Sequence, residues 1–388
     1  MKKFDVVIIG GGASGFSCAA QALKLGKTVA ILEHNLQPLK KVKISGGGRC
    51  NFTNLNTAPE KYLCSKGDFV KHALQIFSPQ KIISLMQKHH IPFAEKELGQ
   101  LFTKTSSQDI IDALIKEAEK AKTFYGIEIE TVEKSDGIFK IRTKIDLFEA
   151  KSLVIATGGM SYQNIGAGDL GYRIAKQFGL KIIPYRPALV PFNLDNELMK
   201  KTIKLKGIAL DCLVECDDRK FRNNILFTHF GISGPAILQA SLYWLKDMPV
   251  RLNFLPETDL FEFLKQQRET AKKKKISSIL KQFFPERFVE FLVEERDIFI
   301  SETSNKQLKE ISQKVNQFTF TPIGTQGFKL AEVTAGGVDT DEIDTKTFES
   351  KKIKGLYFIG EVLDVAGQLG GYNLQWAWAS GFCAGENL

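Results

Sequence analysis

The sequence predicts an α/β fold whose parallel sheet draws its strands from both ends of the chain. Three observations predict it. The apolar run VVII (6–9) leads into Gly10, Gly12 and Gly15 and then into the helix-forming stretch 16–25. A second apolar run, SLVIATGGMS (152–161), and a third, GLYFIGEVLD (355–364), also end in glycine turns, and the third lies at the far end of the chain. Runs of this kind, apolar at every position, are buried on both faces, as in a parallel sheet.

Composition bounds the rest. At 388 residues the chain is too long for one core and divides into two or three domains. Its 43% apolar and 25% charged residues are those of an ordinary globular protein. No apolar run approaches the roughly 20 residues that span a bilayer. The N-terminal FDVVIIGGGASGF is interrupted by glycines, carries Asp5 and lacks a cleavage site, so it does not read as a signal peptide. A cytoplasmic protein with no membrane partner is the expectation. The six cysteines are scattered without Cys-x-x-Cys spacing, and Cys212 and Cys216 lack His or Cys partners, so reduced thiols and no metal are expected.

The net charge is +9, and the first hundred residues carry fourteen Lys/Arg against six Asp/Glu. A basic N-terminal third would attract a phosphate-rich ligand or RNA. A lysine-rich background that serves solubility is the alternative from charge alone.

The first element pair is a nucleotide motif. Gly10 makes the tight turn, Gly12 lets backbone amides approach a pyrophosphate, and Gly15 lets the helix pack close to the strand. The N–H groups of Ala13 and Ser14 then belong to a helix end that faces phosphate. Gly26 ends the helix and TVAIL (28–32) is the second strand, with Glu33 at its end. A carboxylate there accepts the hydroxyls of an adenosine ribose and repels a 2′-phosphate.

The later elements decide between dinucleotides. A nicotinamide domain does not need its last strand and helix at the opposite end of the chain. An FAD domain of the glutathione-reductase type does: the chain leaves to build a substrate domain and returns to cover the flavin. Thr157, Gly158 and Gly159 end the 152–161 run, and Gly360 and Glu361 end the 355–364 run. The turn at 370–371 then starts an apolar helix near Asn373, which would aim its positive end at the flavin N1–C2=O edge.

The stretch KKVKISGGGRCNFTN (40–54) looks like neither a strand nor a helix interior, and three consecutive glycines read as a flexible loop. Together with EKELGQLF (95–102), FTHFGISGPAIL (227–238), AEVTAGGVDTDE (331–342) and GLYFIGEVLDVAGQLGGYNLQWAWASG (355–381), it resembles the YhiN-type flavoproteins. Bacterial bile-acid dehydro-reductases and aminoacetone-oxidase-like proteins are relatives of that family. The resemblance implies a discontinuous glutathione-reductase-type Rossmann FAD domain (1–187 and 325–388). It also implies an inserted β-rich domain (188–256 and 317–324) and a small helical domain (257–316).

The resemblance assigns Lys43, Ser45, Gly46, Gly47, Gly48, Arg49, Cys50 and Asn51 to flavin and pyrophosphate contact, and Gly371, Tyr372, Asn373 and Leu374 to the flavin edge. A triple glycine lets N–H groups approach a flat ring or a phosphate without a Cβ clash. Arg49 would offset pyrophosphate charge, and Asn51 and Asn54 would bond the polar edge. RPALVPF (186–192) reads as the exit from the sheet, and KKKK (272–275) as a charge run on a helical stretch, more a solvated face than an RNA site. Gln368 stands where family members commonly place an aromatic, and no proline follows Ser161.

The implied chemistry is reduction of a conjugated C=C–C=O. For the YhiN branch this is uridine to dihydrouridine in large-subunit ribosomal RNA, with hydride to C6 and a protein acid protonating C5. A base within folded RNA would have to be flipped out. No C-x4-C redox pair is present, so either NAD(P)H visits the flavin as a transient reductant or another reductant serves. The candidate acids are Cys50, His229 at an apparent strand-to-helix corner, and Tyr372. The alternatives are a small-molecule enzyme acting on a steroid enone or amino ketone, and a flavin-bound RNA-binding factor without turnover.

Overall fold

The computed structural model describes residues 1–294 and 297–388. Contacts divide the chain into two units, 1–187 with 331–388 and 188–330.

The first unit is built on a sheet with, among the described residues, seven strands. Lys122–Phe124, Val29–Leu32, Lys2–Ile9, Leu147–Ile155 and Leu356–Phe358 run parallel in that spatial order. The register aligns Ile9 with both Leu32 and Ile155, and Ile155 with Phe358, so four strands end level with one another. The inner residues of these strands are fully buried, including Val7, Ile8, Ala30, Ile31, Val154 and Phe358. That explains their apolar runs. An antiparallel pair, Ile129–Ser135 and Ile138–Thr143, extends the sheet beside 147–150.

The helix Ala13–Lys24 follows the first strand, and the C-terminal helix Tyr372–Glu386 lies across it. The crossing is close because glycines face backbone. A Cβ on Gly381 would stand 2.3 Å from the Ser14 carbonyl oxygen, and one on Gly385 would stand 2.6 Å from that of Cys18. Ser17 Oγ donates to the Trp378 carbonyl at 2.8 Å across the same contact. The indole N–H of Trp376 donates to Gly360 O at 3.1 Å and that of Trp378 to Phe52 O at 2.9 Å. Each buried ring is thus satisfied at its one polar atom.

The stretch 40–54 differs from its sequence reading. It forms a helix, Lys40–Gly48, whose path breaks at Ser45, Gly46 and Gly47, and then a strand, Asn51–Asn54. That strand pairs with Gln100–Thr103, which pairs with Phe93–Glu95. The end of the stretch, 51–54, becomes regular because 100–102 supplies its pairing partner. The Gly355-to-Asp364 run is strand only over Leu356–Phe358 and turns as a 3-10 helix at Gly360–Val362.

The second unit carries a sheet that is antiparallel and, among the described residues, seven-stranded. Its order is Phe318–Phe320, Val250–Asn253, Ala209–Cys216, Arg219–Phe227, Gly231–Ser233, Phe192–Asn193, Gly324–Thr325. Residues 325–330 belong to this unit, where the sequence reading put them in the first; Thr325 pairs with Phe192. The stretch 257–316 (of which 295 and 296 lie outside the described residues) holds the helices Leu260–Thr270, Ile276–Leu280, Glu286–Val293 and Asn305–Asn316. Their Leu264, Phe288 and Leu308 share one core with Val214 and Phe227 of the sheet. They form a layer on the sheet, because amphipathic helices this short need a large apolar partner. The lysine run 272–275 occupies the turn between two of these helices and is not helical.

Gly381→Val should drive a side chain into the Ser14 carbonyl. Overpacking costs about 1–3 kcal/mol, so thermal unfolding should shift down and flavin should be lost with it. An unchanged melting midpoint would show that the helices do not need this approach.

Candidate functional site

The glycine turn after the first strand explains its sequence residue by residue. Gly10 has φ +114°, and a Cβ there would meet the Ala156 carbonyl at 2.3 Å. A Cβ on Gly15 would stand 2.1 Å from Gly10 O, so this glycine sets the helix-to-strand distance. Gly12 is different. It caps the helix with φ −93° and ψ −169°, no side chain caps the end, and a Cβ would meet nothing within 4 Å. Its face and the first-turn amides are open to a ligand.

Glu33 ends the second strand, buried at 5% exposure. Its Oε2 accepts from Gly11 N at 2.7 Å, and Oε1 accepts from Asn35 N and Nδ2, both at 2.8 Å. Burial pushes the carboxyl up, but hydrogen bonds from His34, Asn35 and Gly11 outweigh it and hold Glu33 below its ordinary range. The carboxylate is therefore charged and fixed beside the glycine turn.

At the break in the Lys40–Gly48 helix, Gly46, Gly47 and Gly48 have φ of +58°, +66° and +83°, and Cys50 follows at +41°. Only glycine repeats this left-handed conformation cheaply. Cβ atoms on Gly47 and Gly48 would meet nothing within 4 Å, whereas Gly46 is pressed against Asn51 N and the Phe102 ring. Lys43 and Arg49 are exposed, and Ser45 Oγ donates to Val42 O at 2.8 Å.

The C-terminal segment is bound to this loop. A Cβ on Gly371 would stand 2.5 Å from Thr53 O, and Asn54 Nδ2 donates to Gly370 O at 2.8 Å. Thr53 Oγ1 donates to Gln375 Oε1 at 2.6 Å, and Gln375 Nε2 to Phe77 O at 2.6 Å. Asn54 is 1% exposed and also takes Asn56 N. Its side chain is committed to the protein, which corrects its reading as a group at the flavin edge. The Asn373 amide likewise closes a ring with Gly367 N and O, at 2.8 and 2.9 Å. The helix behind it starts on Gly371, φ +97°, again with no side-chain cap and no acid in its first turn. Tyr372 lies edge-on to Tyr62, and Leu374 is partly buried.

A third glycine pair completes the cradle. Gly158 is open at φ +73°, and a Cβ on Gly159 would collide with Thr334 Oγ1 and Glu361 Oε1. Glu361 accepts from Lys41 Nζ at 2.6 Å and from Thr334 N at 2.9 Å. Gly360 N donates to Ser380 Oγ at 3.0 Å, and a Cβ on this glycine would meet Ser14 Oγ. Thr334 Oγ1 receives Met160 N and Ser161 N at 2.8 and 3.2 Å. Thr157 Oγ1, which a Cβ on Gly171 would strike, and Tyr172 OH are buried without a hydrogen-bond partner among the described residues. An unsatisfied buried group costs about 1–3 kcal/mol, which a ligand's polar atom can offset.

The candidate acids differ in burial. Cys50 is fully buried, and burial pushes its thiol up to about 12 against a hydrogen bond with Ser45. Burial also raises the Tyr372 phenol. His229 is exposed and belongs to the second unit, in a turn between the strands Arg219–Phe227 and Gly231–Ser233. The expected strand-to-helix corner comes later, where Gly234 caps the helix Pro235–Tyr243. The cradle itself is made of first-unit residues.

A family model described as the HI0933-like protein Rossmann domain matches residues 4–387. The chain belongs to this HI0933-like family. It is 42% identical to the ribosomal RNA dihydrouridine synthase of Escherichia coli (strain K12), covering 100% of this chain and 98% of that protein. It is 42% identical to the enzyme of the same name from Haemophilus influenzae, over 97% of each. The 3-dehydro-bile acid delta(4,6)-reductase of Clostridium scindens is 31% identical, over 98% of this chain and 97% of that protein. A quinol-fumarate reductase structure shares the fold at TM-score 0.51 and 16% identity, over 99% of this chain and 70% of that one.

This HI0933-like chain carries a Rossmann-type FAD-binding domain, and its residues fit the cofactor. Glycines 12, 47, 48 and 158 leave their faces open, two helix ends lack side-chain caps, and Glu33 stands charged beside the first of them. Sequence reasoning missed Gly11, whose N–H fixes Glu33, and Lys41 and Thr334, which fix Glu361. Lys41 lies in a stretch singled out for its charge, but no spacing rule points to a partner 320 positions away.

Gly12→Ala tests the cradle. The methyl meets no protein atom, so the apoprotein should melt at its normal temperature, while FAD affinity should fall about tenfold or more, roughly 1.4 kcal/mol. Normal flavin content in that variant would contradict the reading.

Proposed function

We propose that this protein reduces uridine to dihydrouridine in large-subunit ribosomal RNA, with FAD as its resident cofactor. The observation that carries the reading is the 42% identity, end to end, to two ribosomal RNA dihydrouridine synthases. The bile-acid relative supports the reaction class: reduction of a double bond conjugated to a 3-oxo group is chemically equivalent to reduction of the uracil 5,6-bond beside C4=O. FAD, when bound, supplies the hydride for C6.

The chain's own tasks are to hold the flavin, to receive a flipped base, and to protonate C5. The flavin is held by Gly10, Gly12, Ala13, Ser14, Gly15 and Glu33 at its adenosine and pyrophosphate. The loop 43–51 and Thr157, Gly158, Gly159, Gly360, Glu361, Gly371, Tyr372, Leu374 and the backbone of Asn373 line the rest. NAD(P)H is the reductant of choice, visiting without a dinucleotide domain of its own. Protonation of C5 falls to His229, Cys50 or Tyr372. The two buried groups stay protonated through neutral pH, because burial raises both, and an acid of this kind donates only below its folded pKa.

This gives a sign. With either buried donor, the rate of single-turnover reduction stays flat from pH 6 to about pH 9. His229→Asn should slow product formation without loss of FAD, and unchanged turnover removes that residue from the mechanism.

A nucleotide-level dihydrouridine map of large-subunit rRNA tests the function, wild type against a strain that lacks the gene. One site lost, and restored by a plasmid copy, is the expected result. An unchanged map overturns the RNA reading and leaves a small-molecule enone reductase.

A further inference from the structure

Part of the positive charge of the first hundred residues is neutralised on folding. Lys2, Lys3, Lys41, Lys66 and Lys88 pair with Asp146, Glu149, Glu361, Asp341 and Glu117, acids that all lie beyond residue 100. A cluster of exposed cations also lies on the second unit. We propose that the outer face of the segment Asn196–Leu205, with Lys206 and Arg287, grips the phosphate backbone of the RNA; this rests on the RNA substrate proposed above.

Asp195 starts the segment by accepting Glu197 N and Leu198 N at 2.8 and 2.9 Å. The helix Asn196–Thr202 and the 3-10 turn Ile203–Leu205 then turn one face inward. Thr202 and Leu205 are buried, and Leu198 and Met199 pack against the unit's core. Lys200, Lys201, Lys204 and Lys206 are left exposed. Arg287, from the helix Glu286–Val293, joins them through space: its guanidinium donates to Lys204 O at 3.2 Å and Lys206 O at 3.3 Å. The five cations line a segment about 10 Å long, at 1.5–2.0 Å rise per residue.

Among the described residues, none of the four lysines has a carboxylate partner. Elsewhere in the same unit cations commonly do: Lys220 and Arg251 share Glu215, Arg222 takes Asp211 and Glu257, and Lys281 takes Glu286. Glu197 and Glu290 lie one turn away on the two helices and leave the patch in positive excess. The helix dipole favours Lys200 and Lys201 at a C-terminal end, but Lys204 and Lys206 lie past it. Ile203, 43% exposed, stands among the charges as an apolar surface for a sugar or base. Clustered cations without acidic partners, around an exposed apolar group, match a polyanion that also has apolar faces.

The test uses the full-length flavoprotein with Lys200, Lys201, Lys204 and Lys206 changed together to Gln, which keeps helix propensity. The probe is an unmodified large-subunit rRNA transcript, titrated across a salt series. Affinity near physiological salt should fall about tenfold or more, and the salt slope should drop by about three, since each phosphate contact contributes about 0.7–0.9. Flavin content and melting temperature should not change. A control with Lys272, Lys273 and Lys274 changed to Gln, exposed lysines on another turn of the unit, should bind within about twofold of wild type. Wild-type binding by the quadruple variant overturns the patch, as does an equal loss in the control. If the wild-type protein binds and reduces the transcript while the variant matches it, only the patch falls. If the wild-type protein does neither, the RNA reading falls with it.

Discussion

The close approach of the first and last helices is the constraint on which the first unit depends. Gly381 and Gly385 let the C-terminal helix rest on the carbonyls of Ser14 and Cys18. With that contact made, Gly360 falls against Ser14 Oγ and is held by Ser380 Oγ and the Trp376 indole. Gly371 falls against Thr53 O, and Trp378 fastens Phe52. Both ends of the chain thereby deliver uncapped helix starts to one glycine-lined region. A dinucleotide with a charged middle and a polar ring edge is the ligand such a region suits. Separated by a side chain at either glycine, the two halves of the cradle would not meet.

Much of this was legible, and the reason is local. The roles of Gly10, Gly12 and Gly15 follow from backbone sterics between adjacent residues, and each has the surroundings its role requires. The apolar runs at 6–9 and 152–155 announce strands buried on both faces. The stretch 40–54 was misread because its order is supplied from outside. Asn51–Asn54 is a strand only because Gln100–Thr103 pairs with it, and Lys40–Gly48 breaks where three glycines turn left-handed. Asn54 and Asn373 carry the side chains one would place at a flavin edge, yet both close turns in the protein. Whether an amide faces a ligand or a neighbouring carbonyl is decided by tertiary packing, which no single-sequence pattern encodes.

Charge shows the same distinction. A count along the chain places the excess in the first hundred residues, but ion pairs join positions far apart, as Lys41 with Glu361 and Lys2 with Asp146. Folding brings acids from the rest of the chain onto part of that basic third and leaves a cluster of exposed lysines on the second unit. Most of those pairs are at the surface, where each contributes about 0–1 kcal/mol. Their effect on stability is small, while their effect on where a polyanion can bind is large.

The central claim is that the cradle and the RNA belong to one reaction. The most direct measurement incubates the purified flavoprotein and a reductant with an unmodified large-subunit rRNA transcript, and weighs its nuclease fragments by mass spectrometry. A gain of two hydrogen atoms confined to one uridine is the predicted result. Flavin that is reduced and reoxidised while every fragment keeps its mass would contradict it.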